Sequence, residues 1–330
     1  MKFDFVGLGD ITIDAFIKLK EGIHIDEPHG GHGKAVCLNF GDKIEYEDVV
    51  VVPAVGNAGN AAVSAHRLGL NSALATDIGD DDFGKEDIKA LQKEAVDTSL
   101  VEVHKGMKSN YHYVLRYGPE RTILIKHQEY PYELPAFDEP PEWIYFSSVG
   151  EHGIEYHHTI ARYVKDNGVK LAFQPGSFQI SLGADTLKDV YEASEIFFCN
   201  KQEAQRILNS KEEDILKLME EVRALGPNIA MVTDGPAGAY AMNDEGAWKM
   251  PMYPDPAPPV DRTGAGDSFS STIVCMLQQG LSLPEALMRG PINSMNVVQY
   301  IGAQKGLLTR DVLEELVKNA PTNYKLKKIA

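Results

Sequence analysis

An alternation restricts the fold more than any other feature. Short apolar runs rich in β-branched and aromatic residues take turns with segments of helical length through residues 55–107 and 140–275. This pattern predicts an α/β fold with a mostly parallel central sheet and helices on both faces. Strands are expected at 3–9, 72–78, 143–147, 169–174, 195–199, 229–233 and 240–242. Helices are expected at 56–68, 85–94, 156–167, 186–194, from 200 onward, and at 268–279, 284–289, 291–300 and 311–318. With 330 residues, 43% of them hydrophobic, the chain can bury one large core, or one core with an appendage.

Two stretches break the rhythm. Residues 15–54 and 109–127 carry strand-like runs without helices, including 15–19, 36–40, 44–53, 109–117 and 121–127, with a hairpin turn at Gly118-Pro119-Glu120. They predict a small β lid over the carboxyl ends of the core strands, where it would keep water from a reactive group. The core is then 1–14, 55–108 and 128–330. The lid edges want covering, so a homodimer paired through the lid is expected. Within the lid, 24–34 reads as a loop. Gly30–Lys34 lacks the spacing of a phosphate loop and the Ser/Thr after its Lys. His24, His29 and His32 read as solvated loop histidines rather than metal ligands.

Charge narrows the partners. The chain carries 48 Asp and Glu against 32 Lys and Arg, a formal net charge of −16. Nucleic acid and anionic membrane surfaces both select basic proteins, so neither is an expected partner. A small nucleotide remains compatible, because backbone amides and a metal ion can hold it locally. Cys37, Cys199 and Cys275 lie far apart without metal-ligand spacing and read as reduced, buried thiols. No apolar run approaches a membrane span and no signal-peptide pattern opens the chain, so a cytoplasmic location is expected.

The stretch Asp261-Arg262-Thr263-Gly264-Ala265-Gly266-Asp267 carries the clearest chemistry. Its small residues let backbone N–H groups converge on an anion. The weakly charged run 268–279 reads as a helix whose positive end would sit there. Asp267 supplies a carboxylate beside those amides, an arrangement suited to phosphoryl transfer but also to simple helix capping. Asp10 and Asp14, four apart in an extended segment, share a face where they can accept from hydroxyls. Gly56-Asn57-Ala58-Gly59-Asn60 opens a helix with small residues, leaving Asn60 on the first turn. Asn200 and Glu203 fit either a capping box or a pair orienting the water around Mg²⁺. Asp80, Asp81 and Asp82 are adjacent and read as charge complementing a helix N-terminus rather than as metal ligands.

These residues, taken in order, resemble the ribokinase-like (PfkB) family of carbohydrate and nucleoside kinases over nearly the whole chain. Asp261–Asp267 is similar to the family's Asp-Thr-Thr-Gly-Ala-Gly-Asp signature, Ile78–Gly84 to its Gly-Asp-Asp-x-Phe-Gly segment, and Asn200–Glu203 to its Asn-x-x-Glu motif. Thr233–Gly238 resembles its Thr-x-Gly-x-x-Gly, and Gly9–Asp14 its N-terminal substrate stretch.

The resemblance implies an ATP-dependent phosphotransferase. Asp267 would be the general base, with Gly264, Ala265 and Gly266 as anion hole. Asp14, Gly56, Asn57 and Asn60 would hold substrate. Asn200, Thr233, Gly235, Gly238, Asn293 and Asn296 would bind nucleotide. Glu203 would hold Mg²⁺ through water, and Asp261 and Thr263 a monovalent cation such as K⁺. The chain also departs from the pattern. Val55 replaces a glycine, Asn57 stands where ribokinases carry Lys, and Arg262 replaces Thr. These changes leave the acceptor open: a sugar or sugar derivative first, a nucleoside as alternative. A sugar phosphate, with Arg116, Arg121 and Lys126 as candidate contacts, or a non-catalytic sensor comes behind. A nucleoside would call for Tyr111, Tyr113, Tyr117, Phe16 or Phe40 on the ligand-facing side of the lid, where the alternative is packing against the core.

Overall fold

A computed structural model of the chain describes residues 2–20, 25–26, 35–117 and 120–330. The loop histidines His24, His29 and His32, the Gly30–Lys34 run, and Gly118 and Pro119 of the expected hairpin turn lie outside the described residues.

Ten strands form the main sheet. In order across it they are Lys327–Lys328, Gly246–Met250, Ala239–Asn243, Ile229–Thr233, Ser194–Asn200, Lys170–Phe173, Trp143–Phe146, Phe5–Leu8, Ser72–Gly79 and Val101–His104. Every neighbour from Ile229–Thr233 to Val101–His104 is parallel, and the three strands at the other edge are antiparallel. Side chains alternate between the faces. Val6, Leu8, Ile144, Phe146, Leu171 and Phe173 enter one core with the helices Ile154–Asn167, Lys188–Ala193 and Ile215–Ala224. Phe5, Trp143, Tyr145 and Ala172 enter the other with Asn57–Arg67, Ala265–Gln278 and Gly290–Val297. Each fully buried aromatic here stabilises the fold by roughly 1.5–3 kcal/mol. This double-sided burial is why the strands read as nearly continuous apolar runs.

A second sheet runs in the order Tyr46–Val55, Thr12–Leu19, Tyr111–Tyr117, Glu120–Leu124. Its central pair, Thr12–Leu19 with Tyr111–Tyr117, is parallel and the outer pairs are antiparallel. The strand Thr12–Leu19 runs through the boundary expected at residue 14, so Asp14 stands on this smaller sheet. The hinge back to the core is Ala54, which has φ 54°. Its N–H donates to Asp87 Oδ1 at 2.6 Å and its carbonyl accepts from Gln304 Nε2 at 2.7 Å.

Several expected elements differ. The strand expected at 36–40 reduces to the pair Ala35–Val36 with Ile25–Asp26, and Phe40 is fully exposed. The turn ahead of Asp42, held by Asn39 Nδ2 donating to Asp42 at 3.0 Å, stops the extension. The strand expected to reach 127 ends at Leu124, because His127 turns inward onto Asp10. The helix expected at 85–94 starts earlier, at Asp82, with Asp81 as N-cap accepting from Gly84 N–H. The elements Val101–His104, Ser177–Leu182, Ile215–Ala224 and Gly246–Met250 have no counterpart in the sequence reading. Cys199 and Cys275 are buried as expected, whereas Cys37 is exposed. No helix among the described residues is long and apolar enough to cross a membrane.

Candidate active site

The helix Ala265–Gln278 begins where two cavities meet. One, of about 410 Å³, lies between the smaller sheet and the core and is lined by Asp10, Asp14, Gly56, Asn57, Asn60, His112, Arg121, Gln174, Glu203, Thr263, Gly264 and Asp267, among others. The other, of about 260 Å³, lies against the antiparallel edge and is lined by Thr233, Gly235, Gly238, Tyr253, Ala265 and Phe269, among others. Arg262 and Gly266 border both. Residues of four of the five motifs therefore line the two cavities together with Gly56, Asn57 and Asn60, and Ile78–Gly84 lines neither.

The backbone explains the glycines. Gly264 caps the helix in the left-handed region with φ 80°, and a Cβ there would come within 2.4 Å of the Ala303 Cβ. Gly266 differs, since a Cβ would meet only Gln174 Nε2, at 3.7 Å, and would otherwise stand in the space between the cavities. The first N–H groups of a helix have no intrahelical acceptor and carry its positive end. A phosphate in this cradle would meet them directly. Ahead of the helix, Asp261 accepts from the Thr263 N–H at 3.0 Å, from the Thr263 hydroxyl at 2.7 Å and from Gly302 N–H at 3.0 Å. Their side chains clasp this loop.

Asp267 is gripped by three neutral amides. Asn57 Nδ2 donates to its Oδ1 at 2.7 Å, Asn60 Nδ2 to its Oδ2 at 2.8 Å, and Gln174 Nε2 to its Oδ1 at 3.0 Å. Two of these amides, Asn60 and Gln174, are oriented from behind. Gln304 Nε2 donates to Asn60 Oδ1 at 3.1 Å, while Tyr145 Oη and Ser270 Oγ donate to Gln174 Oε1. The carboxylate is thus fixed in position with no cationic partner among these contacts.

Across the cavity the carboxylates differ. Asp10 lies 2.7 Å from His127 Nδ1 and accepts from the Tyr132 hydroxyl at 2.9 Å, so it anchors protein groups. Asp14 has its Oδ1 buried without a hydrogen-bond partner. Burial raises its pKa to about 7, and the nearby Asp261 charge adds to the shift. His112 Nδ1 stands 3.6 Å away, too far for a hydrogen bond. Burial holds that imidazole down at about 4, so the contact is not an ion pair at neutral pH. A buried acceptor left without a partner at a cavity wall costs free energy, so its retention calls for a role.

Other expected residues fall elsewhere. Asn200 and Glu203 make the reciprocal capping box, Glu203 N–H to Asn200 Oδ1 at 2.9 Å and Asn200 N–H to Glu203 Oε2 at 2.8 Å. Asn200 lines neither cavity. Glu203 does border the larger one, and burial raises its pKa. Asn293 is fully buried, donating to Thr272 Oγ1 and accepting from Leu308 N–H, and Asn296 donates to the Gly306 carbonyl. Their helix instead turns Pro291, Ser294, Met295 and Val298 to the smaller cavity, so both amides serve packing. Gln174 and Gln304 escaped the sequence reading. Gln174 ends a strand just before Pro175-Gly176, the same placement that singled out Asp14. Gln304 sits in a loop with no pattern to mark it.

Known proteins resemble the chain in sequence and in fold. Residues 34–310 match the pfkB family of carbohydrate kinases. The chain is 26% identical over 314 residues to an ATP-dependent 6-phosphofructokinase of Thermoanaerobacterium thermosaccharolyticum, covering 89% of this chain and 91% of that one. It is 25% identical over 250 residues to a fructoselysine 6-kinase of Escherichia coli, covering 75% and 90%. A solved structure of Arabidopsis thaliana ribokinase with ribose and ATP superposes with a TM-score of 0.78 at 18% identity, covering 96% of this chain and 99% of that one. A cradle of helix N–H groups beside an amide-held carboxylate, in a chain that matches this family over most of its length, places the protein in the pfkB family of carbohydrate kinases.

Proposed function

We propose that the chain transfers the γ-phosphoryl group of ATP to a hydroxyl of an unphosphorylated sugar or sugar derivative. The observation that carries this reading is the meeting of the two cavities at Gly266, with Asp267 facing the polar one. Nucleotide enters from the Thr233–Gly238 side and leaves its γ-phosphate at the amides of Gly264, Ala265 and Gly266. Asp14 and the Asn57 and Asn60 amides hold the acceptor. The Asp267 carboxylate takes the proton of the attacking hydroxyl. The acceptor's hydroxyl oxygen bonds to the γ-phosphorus as the bond to the bridging oxygen breaks, leaving ADP and the sugar phosphate.

Mg²⁺ fits a site of limited protein ligation. Phosphate oxygens and water supply most ligands of a nucleotide-bound Mg²⁺, so a single protein carboxylate at the border suffices. Glu203, at the cavity border, is the residue that would orient such water. The ion would neutralise charge on the phosphates. The Asp261 carboxylate is already engaged by Thr263 and Gly302, so we assign its side chain no monovalent cation.

Two observations bear on the acceptor. The larger cavity carries Asp10, Asp14, Glu203 and Asp267 against Arg121 and Arg262, a poor setting for a second phosphate. Arg116 reaches the Val260 carbonyl instead. Among the described residues, none of Phe16, Phe40, Tyr111, Tyr113 and Tyr117 lines the cavity, whose rings there are the imidazoles of His112 and His127. An ADP-release screen across sugars, sugar acids, sugar phosphates and nucleosides tests the reading. Turnover confined to nucleosides or sugar phosphates would replace it.

The smaller sheet also supports pairing of two copies through the lid. Val49, Val51, Tyr113 and Leu124 are each 41–52% exposed on it. Light scattering on the purified protein is expected to give a dimer mass, and a monomer mass would remove this part of the reading.

A further inference from the structure

The smaller cavity is poor in groups able to read a base. Pro236, Pro259 and Pro291 line it and have no backbone N–H to donate. Its polar side chains are mostly engaged elsewhere. The Tyr253 hydroxyl donates to the Leu316 carbonyl at 3.2 Å, and Ser294 Oγ donates to the Ala265 carbonyl at 2.7 Å. The Val298 carbonyl already accepts from Val260 and Asp261 N–H. Asp255 and Arg262 are exposed. Asn293 and Asn296, the amides that could have read a purine edge, point into packing contacts. Among the described lining side chains this leaves Thr233, whose hydroxyl can either donate or accept and so suits any base, and the exposed Asp255 and Arg262, each within the other's field. The rest of the wall is apolar, including the flexible thioethers of Met252 and Met295.

We propose that this cavity holds the base by shape and apolar contact without reading its hydrogen-bonding edge, so that the donor class is nucleoside triphosphates in general rather than ATP alone. The inference rests on the kinase reading above. An apolar pocket separates related ligands by about 10–200-fold, whereas a site built on hydrogen bonds separates them by about 10⁴–10⁵.

The test has two arms. With an acceptor found using ATP, kcat/KM is measured for ATP, GTP, ITP and CTP. Independently of any acceptor, ADP, GDP, IDP and CDP are titrated against a ribose-labelled fluorescent ADP bound to the protein. The proposal expects both series to span less than about 200-fold. A preference for the adenine member above about 200-fold in the displacement series overturns it. If ATP is turned over with no acceptor, the kinase reading fails and the displacement series alone decides the inference. Asn296→Ala is expected to leave the adenine-to-guanine ratio unchanged in that series. A collapse of the ratio would show that Asn296 reads the base and would equally overturn the proposal.

Discussion

The two cavities that meet at Gly266 are built from different materials. The acceptor cavity is made of side chains: three amides clamp one carboxylate, and a second carboxylate waits without a partner. The nucleotide cavity is made of glycine and proline backbone with apolar walls. A site of placed side chains can select its ligand by hydrogen-bond geometry. A site of backbone and apolar surface holds what has the right shape and anionic end. The selectivity of this enzyme is therefore expected to reside on the lid side.

The largest effect that would sharpen this comparison comes from its shared border. Gly264→Ala forces a side chain onto Ala303 at a positive φ, and is expected to cost about 2–4 kcal/mol of stability by denaturant unfolding. Gly266→Ala meets open space and is expected to unfold at the parent denaturant concentration while losing activity with every donor and acceptor. A parent-like kcat in Gly266→Ala would break the claim that both ligands meet there.

Next in size is Asp14→Ala. Losing a charged acceptor is worth about 1.5–3 kcal/mol, so the acceptor KM is expected to rise roughly 10–100-fold with nucleotide binding unchanged. The same change removes a carboxylate that burial holds at about 7, so the unliganded variant is expected to melt higher than the parent at pH 8. Stability gained with affinity lost would mark Asp14 as a residue kept for binding. A melting point below the parent's would count against this.

The smallest effect concerns pH. Burial raises Asp87 to about 7 and Asp77 to about 6. Because these folded-state values lie above the ordinary carboxylate value of 3.8, their stabilising protonated forms are fully present below about pH 4. That stability is lost as pH rises through 6 and 7. Melting temperature is expected to fall between pH 5 and 8. Asp87→Asn, which keeps an oxygen for the Ala54 N–H, is expected to flatten the fall; an unchanged slope would remove Asp87 from the account.

The contrast between the cavities also explains what the sequence made legible. The helix cradle could be read because Gly264 meets a backbone demand that few other residues satisfy, while Gly266 adds no side chain to the space between the cavities. Asp14 and Asn60 could be read because polar residues at the starts and ends of apolar runs announce themselves. Asn200 and Glu203 fit two structures with the same letters, and the reciprocal bonds between them show the capping box. Asn293 and Asn296 stand outside the lining of the smaller cavity because a one-residue rotation of 100° on a helix decides which side meets it, and periodicity in a helix this apolar does not fix that rotation. Gln304 reaches Asp267 through Asn60, a contact between residues 244 apart that no local pattern encodes. Ile215–Ala224 follows the charged run Lys211-Glu212-Glu213-Asp214, where an N-cap and a solvated loop are written in the same letters.

The central claim is that Asp267, aligned by three amides, receives the acceptor's proton. Its most direct test is the kcat of Asp267→Asn with saturating nucleotide and acceptor, beside binding of the labelled ADP. The account predicts a fall in kcat of about 10²–10⁴-fold with nucleotide affinity retained. A variant that binds nucleotide normally and turns over within about tenfold of the parent would contradict it.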